Sequence, residues 1–140
     1  MRAVLVAFAL LLALPALAQA ASGSSTAMTP SPDQRAKQWL ILVDDGNYAT
    51  AYRQMGKAGR DRISEPGFAE KLGRVRAPLG AMASRGLKDV KLQKTLPGMA
   101  DGQYATIRFD TIFARKAHAL ETVRLVLGDK AWSVIGYFIR

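Results

Sequence analysis

No cysteine occurs in the 140 residues. Disulfides, thiolate metal sites and thiol nucleophiles are therefore excluded, and so is a lipid anchor that needs a cysteine at its processing site. Histidine is scarce as well, with His118 the only one. A lone imidazole makes a metal site here only if carboxylates gather round it, so His118 reads as an exposed residue at the start of a strand. Acidic residues are the minority: 11 Asp and Glu stand against 20 Lys and Arg, a net charge of +9. A phosphate-cradling glycine loop is missing, because Gly56 to Gly59 lacks the strand and spacing such a loop requires. No Ser/His/Asp triad assembles and no internal repeat is visible. These absences leave no catalytic residue, no metal and no cofactor to assign, and the reading leans against an enzyme.

Long hydrophobic runs are limited to one, at the start. Met1-Arg2 is positive, Ala3 to Leu14 is uninterrupted apolar sequence, Pro15 breaks it, and Ala18-Gln19-Ala20 offers small residues at the positions a signal peptidase reads. This three-part order is that of a secretory signal, with the cut expected between Ala20 and Ala21. A spanning helix needs roughly 20 apolar residues, so no transmembrane span is expected after cleavage. The mature chain is expected in the periplasm or outside the cell. An exported domain without disulfides must hold itself together by its core.

Charge is present but unevenly spread. Residues 53–94 carry 11 Lys and Arg against four acids, a net of +7, while the rest of the mature chain is almost balanced. Such a patch favours anionic partners. In that compartment these are phospholipid headgroups, acidic polysaccharide or cell-wall polymer rather than nucleic acid. The simpler reading, a basic face that keeps the protein soluble, is preferred.

Residues 21–31 are Ala, Ser, Gly, Thr and Pro with one Met, and read as a flexible linker. A single domain is expected over 32–140. Ser31 caps a first helix with Pro32 in its first turn, and Ala36, Trp39, Leu40 and Val43 form its apolar stripe. Gly46 stops it. Asn47 starts a second helix, with Tyr48, Ala51, Tyr52 and Met55 on one side; Trp39, Tyr48 and Tyr52 read as core. Lys57 to Arg62 reads as a loop. Ser64 caps a third helix whose stripe is Phe68, Leu72, Val75 and Leu79, broken by Pro78.

The period then changes from 3.6 toward 2. Four strands are expected, at 82–95, 103–113, 119–127 and 130–139. A bulge near Lys88-Asp89 restores the first strand's register, and Lys88, Lys91 and Lys94 protect it as an edge. In the second, Ile107, Phe109, Thr111 and Phe113 share one face, with Tyr104, Thr106, Arg108 and Asp110 on the other. Gly128-Asp129 is read as a two-residue hairpin turn that sets Leu125 opposite Trp132 and Val123 opposite Val134. Helices followed by a strand meander mean α+β, three N-terminal helices packed on a four-stranded antiparallel sheet.

Several stretches carry a resemblance. They are Trp39-Leu40, Asp44 to Tyr48, Arg76-Ala77-Pro78-Leu79-Gly80, Leu96-Pro97-Gly98, Asp101 to Tyr104, Phe109 to Ala114, Glu121-Thr122-Val123, and Trp132 through Arg140. In this order the chain resembles the bacterial domain of unknown function 4019 family over roughly 33–140. That family looks related to the cone-shaped proteins typified by nuclear transport factor 2. The resemblance implies a strongly curved sheet wrapped round helices, with a cavity inside, and it assigns no activity.

In such a cone, Tyr104, Arg108, Asp110 and Tyr137 are the candidate ligand-binding residues. Asp110 with a tyrosine is cast as the base of an isomerase or hydratase, by analogy with cone-fold enzymes; the bland alternative is a cross-strand ion pair on a wet face. Glu121 points to the side of Val123 and Leu125, where an unpaired carboxylate is costly. It is either at a wet margin or in a real pocket. The favoured function is a non-enzymatic envelope domain binding a small ligand or an envelope protein. The alternatives are the Asp110 enzyme and electrostatic attachment of residues 53–94 to an anionic surface.

Overall fold

The computed structural model describes residues 28–140. The expected signal peptide, its expected cleavage site and most of the expected linker, residues 1–27, lie outside the described residues. The order is α1 (Pro32–Asp44), α2 (Tyr48–Arg53), α3 (Lys57–Arg60), α4 (Glu65–Arg76), a 3-10 turn (Ala77–Leu79), then β1 (Met82–Gln93), β2 (Tyr104–Phe113), β3 (Lys116–Leu127) and β4 (Trp132–Ile139). The strands form one antiparallel meander, β1-β2-β3-β4, with the helices on one face.

Local chemistry accounts for the helix ends. The Ser31 backbone N–H donates to the Gln34 side chain at 3.0 Å, and Asn47 Oδ1 accepts from the Thr50 N–H. Ser64 Oγ accepts from the Gly67 N–H at 3.2 Å. Each satisfies a helix-start group that has no partner within the helix. Pro78 ends α4, and Gly80 turns the chain into β1 with φ +75, which a glycine adopts without strain.

The inner sheet face and α1 make the core. Trp39, Leu40, Ile107, Phe109, Val123, Leu125 and Val134 are wholly buried. Trp39 Nε1 donates to the Ala51 carbonyl at 2.9 Å, so α1 holds α2 through a polar contact inside apolar packing.

Three local expectations change. The expected loop at 57–62 contains the one-turn α3. It is seated on β4, where a Cβ on Gly59 would lie 2.9 Å from the Ile135 carbonyl; only glycine permits that approach. The β3–β4 connection is longer than a two-residue turn. Leu127 pairs with Trp132, Leu125 with Val134 and Val123 with Tyr137. The first shift is by two, which keeps every side chain on its expected face, and a bulge at Ile135 adds one more. Finally, Arg76 rather than Val75 lies on the buried face of α4, being 7% exposed against 36% for Val75. The stripe is Phe68, Leu72, Arg76, a strict i+4 series.

The bulge expected near Lys88-Asp89 is present, between Leu87 and Asp89. The two edges differ. β4 is partly covered, since the Gly56 N–H donates to the Val134 carbonyl at 2.8 Å. β1 is open and carries Lys88 and Lys91, which discourage pairing with other chains.

Candidate functional site

Glu121 resolves into an interior group. It is 0% exposed, and its charge is met from α4 and the other three strands. Arg85 Nε on β1 donates to Glu121 Oε1 at 2.7 Å. Thr111 Oγ1 on β2 donates to the same oxygen at 2.5 Å, and the Tyr137 hydroxyl on β4 donates to Oε2. Arg76, at the end of α4, stands 3.7 Å from Oε2. Asp44, the last residue of α1, takes Arg76 at 2.6 Å and both terminal nitrogens of Arg85 at 2.7 and 2.9 Å. Two acids and two guanidinium groups thus cancel, with α1, α4 and all four strands contributing one member each.

The energetics of this cluster follow from its burial. Burial opposes the Asp44 charge, but hydrogen bonds from Arg85 and Arg76 outweigh it and hold the carboxyl below its ordinary 3.8. Burial opposes both guanidinium charges, but Asp44 and Tyr137 outweigh it at Arg76, and Asp44 and Glu121 at Arg85, keeping both groups firmly charged. Burial first, and then the Glu121 charge, push the Tyr137 hydroxyl well above its ordinary 10.0. Asp44, Arg76, Arg85 and Tyr137 are thus all shifted further from neutrality. Arg76 also lies over the Phe113 ring at 4.8 Å, a cation–π contact. The expected hollow of the cone is occupied at this end by a saturated polar plug.

The four residues expected to line a cavity are not brought together. Arg108 and Asp110 are on the outer sheet face. Arg108 holds Asp89 through two bonds, at 2.8 and 2.5 Å, and Asp110 is exposed and 3.2 Å from Lys88. The bland reading of a cross-strand ion pair is the observed one, with partners from β1. Tyr104 also points outward but is covered by the β1–β2 loop, and its hydroxyl donates to the Ala100 carbonyl at 2.6 Å. Tyr137 alone faces inward. Asp110 does border a shallow outer depression with Ser84 and His118. No hydrogen bond joins the three.

Two further clefts remain. A groove of about 680 Å3 crosses the outer face, bordered by Lys91, Arg108, Arg124, Thr122 and Phe138. Arg124 lies over the Phe138 ring at 4.9 Å, and its buried Nε has no partner. The second cleft, about 400 Å3, opens on the helix side between α4 and β4. Phe68, Leu72 and Val75 form one wall, Ile135, Tyr137 and Ile139 the other, with Met55 and Ile63 at α3. Tyr137 belongs to both regions, its ring to this cleft and its hydroxyl to the plug.

Sequence reasoning left Glu121 undecided and missed Asp44, Arg76 and Arg85. One signal was available for Arg76, its i+4 spacing from Leu72 on an apolar face. Arg85 sits between the two register shifts of β1, which hide its inward direction.

A sequence profile for the family described as protein of unknown function DUF4019 matches residues 35–137. The chain belongs to this family. Its fold is nuclear transport factor 2-like. A crystal structure from Campylobacter jejuni, of an NTF2-like protein named as an inferred transpeptidase, superimposes with a TM-score of 0.53. It is 18% identical, and the match covers 75% of this chain and 97% of that one. Identity at that level speaks to fold alone. No curated protein matches the chain significantly. In this DUF4019 chain the cone is therefore divided, closed by charge at one end and open between α4 and β4. Among the described residues, no three His, Cys, Asp or Glu gather as for a metal ion, and no helix is long and apolar enough to cross a membrane.

Proposed function

We propose that this chain is an exported, non-enzymatic binding domain of the cell envelope, with its ligand site in the α4–β4 cleft. One observation carries this reading. The buried acids and bases of the concave face saturate one another, while the cleft beside them keeps about 400 Å3 of mostly apolar space. Ligand sites typically hold about 300–1,000 Å3 and are mostly apolar with few polar groups. Export rests on the signal-like order of residues 1–20.

An enzyme built on Asp110 lacks support from the geometry. A general base needs a shaped, enclosed site, and Asp110 is on an open surface beside Lys88. Nor does the neighbour's transpeptidase name find its chemistry among the described residues. Acyl transfer needs a nucleophile activated by an adjacent base; there is no cysteine, and His118 is exposed without a hydrogen-bonded serine.

A second reading, attachment of residues 53–94 to anionic surfaces, has its own support. Arg60, Arg62, Lys71, Lys91 and Lys94 have no carboxylate partner among the described residues. Retention on anionic vesicles that disappears in high salt is its signature.

Two measurements test the main reading. N-terminal sequencing of protein from the periplasmic fraction should begin at Ala21, and a cytoplasmic product retaining residues 1–20 contradicts export. Val75→Trp narrows the cleft from an exposed position. It should abolish binding of anilinonaphthalene sulfonate at an unchanged thermal midpoint. Undiminished dye binding contradicts the assignment of the cleft.

A further inference from the structure

The shape and lining of the α4–β4 cleft narrow its ligand. Phe68, Leu72 and Val75 recur along one face of α4, and at 1.5 Å per residue they span roughly 10 Å. Ile135 to Ile139 runs along β4 for roughly 13 Å. The two rows make a trough, a shape suited to an extended chain rather than a ring. The lining contains no acid, and its single hydroxyl, on Tyr137, is already committed to Glu121. A sugar or nucleoside would bury polar groups there without partners, which is costly. The only charges on the lining are Arg62 and Lys71. Neither has a carboxylate partner among the described residues; Arg62 reaches only the Gly98 carbonyl and Met99 Sδ.

We infer that the cleft takes the alkyl chain of a monomeric anionic amphiphile, a single-chain carboxylate of the fatty-acid class, whose head group is met by Arg62 and Lys71. This rests on the binding reading above and adds the ligand's chemistry. Chain burial supplies affinity, and the two cations discriminate the head.

Calorimetry on the mature chain tests it with hexanoate, octanoate, decanoate and dodecanoate as monomers, and with decanol and decyltrimethylammonium as head-group controls. One carboxylate should bind per chain. Each two-carbon step should tighten binding roughly 15-fold, from about 0.8 kcal/mol per methylene, until the trough is full and the gain stops. Decanol should bind at least about tenfold more weakly than decanoate, and the cationic amphiphile more weakly still. The double variant Arg62→Glu, Lys71→Glu should bring decanoate to the level of decanol or below while leaving decanol unchanged, which also reports that the variant is folded. Equal affinity for decanol and decanoate overturns the head-group inference and leaves the cleft reading standing. Binding that Val75→Trp does not reduce, or no binding by any amphiphile, overturns both. Adsorption to phosphatidylglycerol vesicles without uptake of monomeric decanoate overturns the inference in favour of surface attachment.

Discussion

The plug around Glu121 and the cleft beside it lie on the same concave face, share Tyr137, and are built on opposite principles. In the plug, polar groups from six elements, four of them charged, converge and leave no acceptor of Glu121 idle. In the cleft, apolar side chains of α4 and β4 face one another across open space. Sheets and helices bury their apolar faces against each other as a rule. Here α4 does so through Phe68 and Leu72, and one turn later uses Arg76 to reach Asp44 and Glu121. A cysteine-free domain is thereby tied together across its layers at one end, while the other end keeps open, mostly apolar space. Buried ion pairs are not in themselves a source of large net stability. Their effect is that losing one member strands the rest.

The largest expected effect comes from breaking the plug while leaving the cleft alone. Glu121→Ala should lower unfolding stability by about 3–5 kcal/mol, because two arginines then lose a buried counter-charge; a urea titration measures it. A loss below about 1 kcal/mol would mean that water already reaches this group. Trp39→Phe removes the bond to Ala51 and part of a fully buried ring, and should cost about 1–3 kcal/mol in the same assay. Tyr137→Phe sharpens the comparison, since it removes the hydroxyl from the plug and keeps the ring in the cleft. It should cost about 1–2 kcal/mol without weakening amphiphile binding. Asp110→Asn, on the outer face, should change stability by no more than about 0.5 kcal/mol.

Acid and base should act on the plug too. Asp44 is held below its ordinary 3.8, so the unfolded chain binds the proton more readily. Its contribution is fully present above that value and is lost as pH falls through the lower, folded pKa. Tyr137 is held above its ordinary 10.0. Its contribution is fully present below that value and declines as pH rises past it. Stability measured against pH should therefore fall away at both extremes, and Tyr137→Phe should flatten the alkaline limb.

The elements were legible in the sequence wherever one period held. Ile107, Phe109, Thr111 and Phe113 alternate and are all buried on the inner face; Ala36, Trp39, Leu40 and Val43 do the same at helical spacing. Legibility failed where backbone geometry is set by distant contacts. The β3–β4 register depends on a bulge at Ile135 that packs against Gly59, some 76 residues earlier, and nothing local to the hairpin announces it. The plug was harder still. The acids Asp44 and Glu121 lie more than 30 residues from the arginines that hold them, Arg76 and Arg85, and each of the four alone has the composition of a surface. Only Glu121 raised a conflict, a carboxylate on an apolar face, and that conflict marked the site. The outward pair Arg108 and Asp110 looked more like chemistry because their alternation was visible, yet alternation reports only a shared face.

Xenon offers the most direct test of the divided concave face, since it enters apolar space and avoids polar, filled interiors. Crystals of the mature chain pressurised with xenon should show density between Leu72, Val75, Ile135 and Ile139, and none within contact of Glu121. Density beside Glu121, or an α4–β4 cleft closed by its own side chains, would contradict the account.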